Sequence, residues 1–335
     1  MKAVFIREHG DPSVLEYGEL PDPTPGPGEV LLRVRATALN RLDLYTRDGS
    51  RGTRRPDADF PHVLGGDCAG DVLAVAGDIS APLVGERVVV NPYLGNHPSM
   101  RMLGTSRQGS NAELVVVPAE NAVTIPESLS YEQAAALPTV FLPAWRIVTG
   151  EGALQASETA LVISASSGVG TAAIQVIKKV VGAKCIAATS TGAKVRAARE
   201  LGADFTINYE TEDLGSRLSE ITRKRGVDLV VDPTGARFFG SAYGSLARGG
   251  RYGVCGVTSG YDSHFHMGQL FSRELKLFGV FMGPTHTLRD IVRAASRGLI
   301  HSVIHRVYPL GEARAAHEEL ERSEHFGKIV LSVDS

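Results

Sequence analysis

Between residues 161 and 283 the chain alternates between short apolar runs and stretches whose apolar positions recur every three or four residues. LVISASSGVG (161–170) is an apolar run that ends in small residues and glycines and passes at once into the helical pattern TAAIQVIKKV. CIAATS (185–190) reads as a second strand and AKVRAARELG (193–202) as its helix. DFTINY (204–209), VDLVVD (227–232), GRYGVCGV (250–257) and KLFGVFMG (276–283) continue the series, with helical segments after the third and fourth strands. Apolar strands alternating with helices predict a parallel sheet covered on both faces, an α/β fold of the doubly wound Rossmann type.

The junction at 161–170 carries chemistry as well as fold. A strand followed by a tight turn and a helix presents backbone N–H groups and a helix N-terminus to a pyrophosphate. Ser167, Gly168, Val169 and Gly170 are therefore candidate dinucleotide-binding positions, Gly168 for close backbone approach and Gly170 for close helix–strand packing. The turn is not a full GxGxxG, and small residues also occur at αβ junctions without a ligand. The repeated strand–helix context favours the dinucleotide.

The first 120 residues have a different rhythm. MKAVFI (1–6), EVLLRVRATAL (29–39), AGDVLAVAG (69–77), ERVVVNP (86–92) and AELVVVPA (112–119) are short strand candidates separated by glycine, proline and acidic turns. They predict a small antiparallel, barrel-like domain. PDPTPGPGE (21–29) reads as an extended connection, and IPESLS (125–130) marks the passage toward the nucleotide domain. At the other end HRVYPL (305–310), a helix over 312–323 and GKIVLSV (327–333) form strand, helix and strand, placed back on the first domain. The expected domains are 1–121 with 299–335, and 122–298, with the active site in the cleft between them at the carboxyl ends of the parallel strands.

A chain of 335 residues agrees with two domains. A formal net charge of -2 with scattered basic residues offers no footprint for nucleic acid or an anionic membrane. No apolar run reaches transmembrane length, and the N-terminal MKAVFIREHGDP lacks a signal-peptide core. Cys68, Cys185 and Cys255 are too widely separated to form a disulfide framework. A cytoplasmic protein is expected.

The order and spacing of several segments identify a family. They are MKAVFIREHGDPSVLEY (1–17), ALNRLDLYTRDG (38–49), PHVLGGDCAGDVLAVAG (61–77), GERVVVNP (85–92), AELVVVPA, AAALPTVFLPAW (134–145), SASSGVGTAAIQ (164–175) and ELGADFTINY (200–209). Together they resemble the medium-chain dehydrogenase/reductase superfamily, especially its zinc-independent quinone oxidoreductase branch, over essentially the whole chain. The resemblance implies a GroES-like β-rich catalytic domain made from both ends of the chain and joined to the Rossmann domain. It also implies a homodimer formed through the nucleotide-domain sheet edge. Zinc-dependent relatives place a cysteine where this chain has Asn40 and a histidine where it has Gly66, and their third ligand is generally a central cysteine. This chain has no cysteine between Cys68 and Cys185, and the four-cysteine loop of those relatives is absent from 91–114. His62, Asp67 and Cys68 are near in sequence but complete no ligand set, so no metal site is expected.

The end of the second Rossmann strand separates NAD from NADP. An acidic residue there binds the ribose hydroxyls of NAD. Here Thr189, Ser190 and Thr191 are followed by Lys194, with no acid between Cys185 and Val195. Hydroxyls and an ammonium suit a 2′-phosphate, which predicts NADP(H). The resemblance assigns Ser190 and Lys194 to that phosphate and Tyr209 to the adenosine side. The alternative readings are a capping serine, a solvated lysine and an ordinary packing aromatic.

Without zinc, hydrogen-bond donors must stabilise the charge that hydride transfer places on a substrate oxygen. This favours acceptors whose product anion is delocalised, namely quinones and α,β-unsaturated carbonyls. In the resembling family the segment LNRLDLYTR borders the nicotinamide and substrate. Asn40 is expected to donate its amide to the carbonyl oxygen, Tyr45 to supply a hydrogen bond or proton, and Asp43 to orient Asn40 or Arg47. A turn with a buried polar network is the alternative. By the same resemblance Thr139 lies near the nicotinamide, the backbone at Gly253 and Gly256 meets its ribose or carboxamide, and Lys328 is cofactor-proximal. Each also has a structural reading as cap, loop-shaping glycine or solvated strand residue. The expected function is NADPH-dependent reduction of a quinone, enal or enone by direct hydride transfer. The alternatives are a zinc-independent alcohol or aldehyde dehydrogenase, and a non-catalytic NADPH sensor or RNA-binding protein. Substrate shape is expected to depend on the loop 93–111.

Overall fold

The computed structural model describes residues 1–56, 59–78, 80, 82–96 and 100–333. Residues 97–99 of the loop 93–111 thus lie outside the described residues. The chain forms two compact units, Met1–Thr139 with Pro284–Ser335, and Val140–Gly283. The first unit is larger than the expected 1–121 with 299–335, for reasons visible in the packing. The helix Tyr131–Ala135 buries Ala134 and Ala135 against the first unit's strands, and Gln133 bonds the backbone of Ser302 through both ends of its amide. The helix Thr285–Ser296 lies on the strand Ala122–Thr124.

The main sheet of the first unit runs in the order Ala122–Thr124, Arg87–Val90, Asp67–Val75, Glu29–Ala38, Lys328–Ser332, Ile304–Pro309, with Leu114–Pro118 also paired to Glu29–Ala38. The alternation in EVLLRVRATA turns Val30, Leu32 and Val34 into the core. They meet Val72, Val88 and Val117, and the helix Ala313–Arg322 covers the same core with Ala313, Ala316 and Leu320. The C-terminal segment therefore pairs within the first unit. Its register has a chemical consequence. Ala38 lies opposite Asp67 on one side and Val330 on the other, so the chain leaving that strand at Leu39 and Asn40 passes between Asp67 and Lys328.

The second unit holds a six-stranded parallel sheet in the order Phe205–Asn208, Lys184–Thr189, Thr159–Val162, Val227–Asp232, Leu246–Val254, Lys276–Gly279. The order reverses between the first and fourth strands of the unit, the switch point of a doubly wound sheet. VDLVVD is buried at every position, as a central parallel strand requires. The last strand is shorter than its apolar run, because pairing ends where Val280 N–H reaches Val254 O and Met282 takes a positive φ of 51°. Among the described residues no helix is long and apolar enough to cross a membrane.

Candidate active site

The segment LNRLDLYTR forms a helix, Arg41–Asp48, where the alternative reading had a turn. Asn40 stands at its N-cap in extended conformation, and Asp43 in the first turn accepts the Asn40 backbone N–H at 2.7 Å and the Gly65 N–H at 3.2 Å. The Asn40 amide faces inward. Its Nδ2 donates to Ala38 O at 3.2 Å and Asp67 Oδ2 at 3.0 Å, while its Oδ1 accepts from Lys328 Nζ at 2.6 Å. A primary amide has two N–H donors, and both are taken. Asn40 is thus not the donor to a substrate carbonyl that the sequence led us to expect; it positions its neighbours.

The centre of the network is Asp67, which is fully buried. Its Oδ1 accepts from the backbone N–H of Thr139 at 3.1 Å and from the Thr139 hydroxyl at 2.7 Å. Its Oδ2 accepts from Asn40 and, at 3.4 Å, from Lys328. Sequence reasoning weighed Asp67 only as a metal ligand and missed this role. The available signal was an acid heading the otherwise apolar strand DCAGDVLAV. Lys328, also buried, donates to Leu39 O at 2.6 Å besides Asn40 and Asp67. The ammonium expected near a cofactor is thus turned into the first unit. Burial pushes the Asp43 carboxyl up to about 6, against the pull of the Asn40 N–H and Lys328. Burial pushes Lys328 down, and the two aspartates oppose it.

Tyr45 is half-buried, with the Arg51 guanidinium 4.8 Å from its ring centre. Among the described residues its hydroxyl takes no part in the Asn40–Asp67–Lys328 network. Arg47 serves the fold, donating to Gly10 O at 3.0 Å and pairing with Glu321 at 2.5 Å.

A tetrahedral zinc bound by sulfur and imidazole does not fit these residues. A side chain at position 66 would bring its Cβ within 3.3 Å of Leu103 O. Burial pushes the Cys68 thiol up to about 12 and the His62 imidazole down to about 4, and the His62 Nε2 is held 3.0 Å from Gly104 O. Among the described residues no group of three or more His, Cys, Asp and Glu is placed to hold a metal ion.

In the nucleotide unit the helix Gly168–Gln175 is capped by Ser167, whose Oγ accepts from Gly170 N at 3.1 Å. Glycine is required at 170, since a Cβ there would lie 2.4 Å from Ser164 O. Gly168 and Val169 remain partly accessible at the helix start. At the second strand Thr191, not Ser190, caps the following helix, accepting from Lys194 N at 3.3 Å. Burial pushes the Tyr209 phenol up, and the nearby Ser190 and Arg237 oppose the shift. Tyr209 packs against Phe238 with ring centres 4.5 Å apart, and the Arg237 guanidinium lies 5.3 Å from the Tyr209 ring centre. Arg237, in the first turn of the helix Ala236–Gly244, is a cation that no motif announced; it pairs with Glu210 at 2.9 Å. Lys194 sits half-buried at the start of the helix Gly192–Glu200. Gly253 and Gly256 have packing reasons. Their Cβ atoms would lie 2.7 Å from Ile147 Cγ2 and 2.3 Å from Pro233 O, respectively.

Comparison with known proteins yields two family matches, an "Alcohol dehydrogenase GroES-like domain" over residues 26–127 and a "Zinc-binding dehydrogenase" over residues 168–297. The chain is 31% identical to an NAD-dependent alcohol dehydrogenase of Saccharolobus solfataricus, over 99% of both proteins. It is 30% identical to a quinone oxidoreductase of Pseudomonas aeruginosa, over 98% of this chain and 99% of the relative. A crystal structure described as an NAD-dependent alcohol dehydrogenase superposes with a TM-score of 0.93 at 39% identity, over the whole of both chains.

Proposed function

The chain belongs to the medium-chain dehydrogenase/reductase superfamily, and from that premise we propose that it is an NADPH-dependent reductase of quinones or α,β-unsaturated carbonyls that works without zinc. Membership makes it an oxidoreductase on a nicotinamide-dinucleotide-binding fold. The observation that supports the finer reading is the Asn40–Asp67–Lys328 network, beside which the described residues include no group of His, Cys, Asp and Glu placed to hold a metal.

The residues that would hold the dinucleotide are the turn Ser167–Gly170 for the pyrophosphate, and Ser190, Tyr209, Lys194 and Arg237 for an adenosine 2′-phosphate. No acid between Cys185 and Val195 stands against that phosphate. The bound cofactor supplies a hydride, and with one proton the two electrons reduce a quinone to its hydroquinone. The chain's part is to position and to donate. Asp43 fixes the start of the helix through the Asn40 N–H, Asp67 fixes Thr139, and the Tyr45 hydroxyl is the donor left for the substrate oxygen. A hydrogen bond suffices when the developing anion is delocalised.

The test is steady-state oxidation of NADPH and NADH by EDTA-treated protein across quinones, enals and simple aldehydes. Fast NADPH-dependent turnover of a quinone or enal supports the reading. Turnover of simple aldehydes or alcohols in place of quinones and enals would replace it by the second reading, a zinc-independent alcohol or aldehyde dehydrogenase, and the names of two similar proteins contain alcohol dehydrogenase. Tight NADPH binding with no turnover would indicate a sensor. A second copy of the chain is the proposed partner of the nucleotide unit, whose edge strand Lys276–Gly279 follows in sequence the helix Met267–Ser272 with its exposed Met267 and Phe271.

A further inference from the structure

We propose that Asp232 is a positioning residue for cofactor selection, a buried carboxylate that sets the turn 233–235 and through it aims Arg237 at the adenosine 2′-phosphate. This role rests on the NADPH reading above for its phosphate, and on the hydrogen bonds of the turn for the rest.

The strand VDLVVD ends in an acid that is fully buried. A carboxylate taken out of water has to be paired or hydrogen-bonded throughout. Here neutral donors meet that demand. Asp232 Oδ1 accepts from Thr234 N at 2.7 Å, from the Thr234 hydroxyl at 2.7 Å and from Gly235 N at 3.1 Å. Its Oδ2 accepts from the Tyr252 hydroxyl at 2.7 Å. Tyr252 reaches it from the neighbouring strand, where it stands opposite Val230, two residues before Asp232. Burial pushes the Tyr252 phenol up and the Asp232 charge adds to the shift, so the hydroxyl keeps its proton and donates. All of these donors belong to the protein, so the carboxylate acts on the turn rather than on a ligand.

The turn leads directly into the helix Ala236–Gly244, whose second residue is Arg237. Gly235 takes a φ of 87°, and a Cβ there would lie 2.7 Å from Gly260 O, so the chain passes this point only as glycine. Glycine has no side chain to cap the helix, and the loop after Leu246–Val254 does so instead. Ser259 Oγ accepts from Arg237 N at 3.0 Å and donates to Thr234 O at 2.8 Å, and the Ser259 N–H donates to the same oxygen at 2.8 Å. Farther along, the Tyr243 hydroxyl donates to His266 O at 3.3 Å, and its ring centre lies 5.8 Å from that of Phe265. The loop is thus fastened at both ends of the helix it caps. Asp232 holds the turn from within the sheet and Ser259 holds it from the surface. Between them the backbone of Arg237 has one direction, which sets its guanidinium 5.3 Å from the Tyr209 ring centre and 4.8 Å from that of Phe238.

Fluorescence titration of NADPH and NADH gives, for each variant, the ratio of their dissociation constants, which a general loss of stability does not change. Because the turn acts through Arg237, none of its variants can lower the NADPH preference by more than the roughly fivefold that a screened arginine–phosphate pair contributes. Asp232→Asn should lower the preference about threefold and Thr234→Val about twofold, whereas Thr234→Ser, which keeps the hydroxyl, should match the wild type. Added to Arg237→Ala, neither Asp232→Asn nor Thr234→Val should move the ratio any further. If Asp232→Asn does not fold, the two Thr234 variants decide. Three results would overturn the proposal: equal weakening of both cofactors by Asp232→Asn or Thr234→Val, a further loss of preference when either is added to Arg237→Ala, or the same ratio for Thr234→Val and Thr234→Ser. Failure of the NADPH reading looks different, because Arg237→Ala itself would then leave the ratio unchanged, and both would fall together. A preference that drops in Arg237→Ala but in neither turn variant overturns the role of Asp232 alone.

Discussion

Replacing Arg237 by alanine should cost NADPH affinity and leave NADH affinity alone. A charge-assisted hydrogen bond to phosphate contributes about 1.5–3 kcal/mol in a favourable site. Arg237 is not in one, since its side chain is 51% exposed and its guanidinium is shared with Glu210. Solvent screening and that competition reduce the expected contribution to about 1 kcal/mol, or about fivefold in Kd. Glu210→Gln should act in the opposite sense, because it frees the guanidinium and removes a negative charge beside the phosphate. Its NADPH affinity should rise about two- to threefold. Titration of the fluorescence of each reduced cofactor, at low and high salt, measures both effects. The advantage of NADPH over NADH should shrink with salt in the wild type and much less in Arg237→Ala. If Arg237→Ala weakens both cofactors equally, or neither, the assignment of Ser190, Tyr209 and Arg237 to a 2′-phosphate is wrong.

Thr139→Val removes the hydroxyl that donates to Asp67 while keeping the backbone N–H; it should destabilise by about 1–2 kcal/mol and lower kcat more than it weakens cofactor, as denaturant titration and kinetics would show. Gly170→Ala forces a Cβ to within 2.4 Å of Ser164 O and should cost about 1–3 kcal/mol together with dinucleotide binding, whereas Gly240→Ala, with nothing within 4 Å, should be neutral or stabilising by denaturant melts. Folding lowers His62 to about 4 and His317 to about 3, so the unfolded chain binds their protons first and stability falls as pH drops below about 6.5. Folding raises Asp43 to about 6, which opposes that fall. Between pH values of about 4 and 6 the two histidines outweigh the one aspartate, for a net slope of about 1.4 kcal/mol per pH unit. Denaturant melts across that window should show His317→Gln flattening the slope and Asp43→Asn steepening it.

The nucleotide unit could be read from the sequence because its signals are local. VDLVVD coincides with its strand residue for residue, since a parallel strand buried on both faces leaves an unbroken apolar run. The return of GKIVLSV to the first domain was also legible, although its register was not, because register depends on pairing across the whole sheet. For the segment that forms the helix Arg41–Asp48 a turn was the alternative reading, and no helix was assigned. Its eight residues offer few apolar positions, yet Asn40 and Asp43 stand at capping-box spacing and could have revealed it. The residue types at the site were visible, but their roles were not. Whether an amide is free to meet a substrate depends on where both of its N–H groups already go. For Asn40 those partners come from residues 38 and 67, while its oxygen is claimed by residue 328. Arg237 escaped because its relation to Tyr209 follows from strand order, not from any spacing along the chain.

Lys328 lies 289 residues beyond the carbonyl of Leu39 that it binds. During synthesis the ribosome therefore releases Asn40 and Asp67 long before their cation exists. In the meantime the strand Glu29–Ala38 keeps an open edge where Lys328–Ser332 will later pair. The six strands of the nucleotide unit, by contrast, come from one uninterrupted stretch, so that unit can fold while the first is still incomplete. A half-made molecule of this design can hold its dinucleotide fold before it has an ordered chemical centre. Nascent chains halted before Gly327 should accordingly be more exposed to holdase chaperones and proteases through the first unit than through the second.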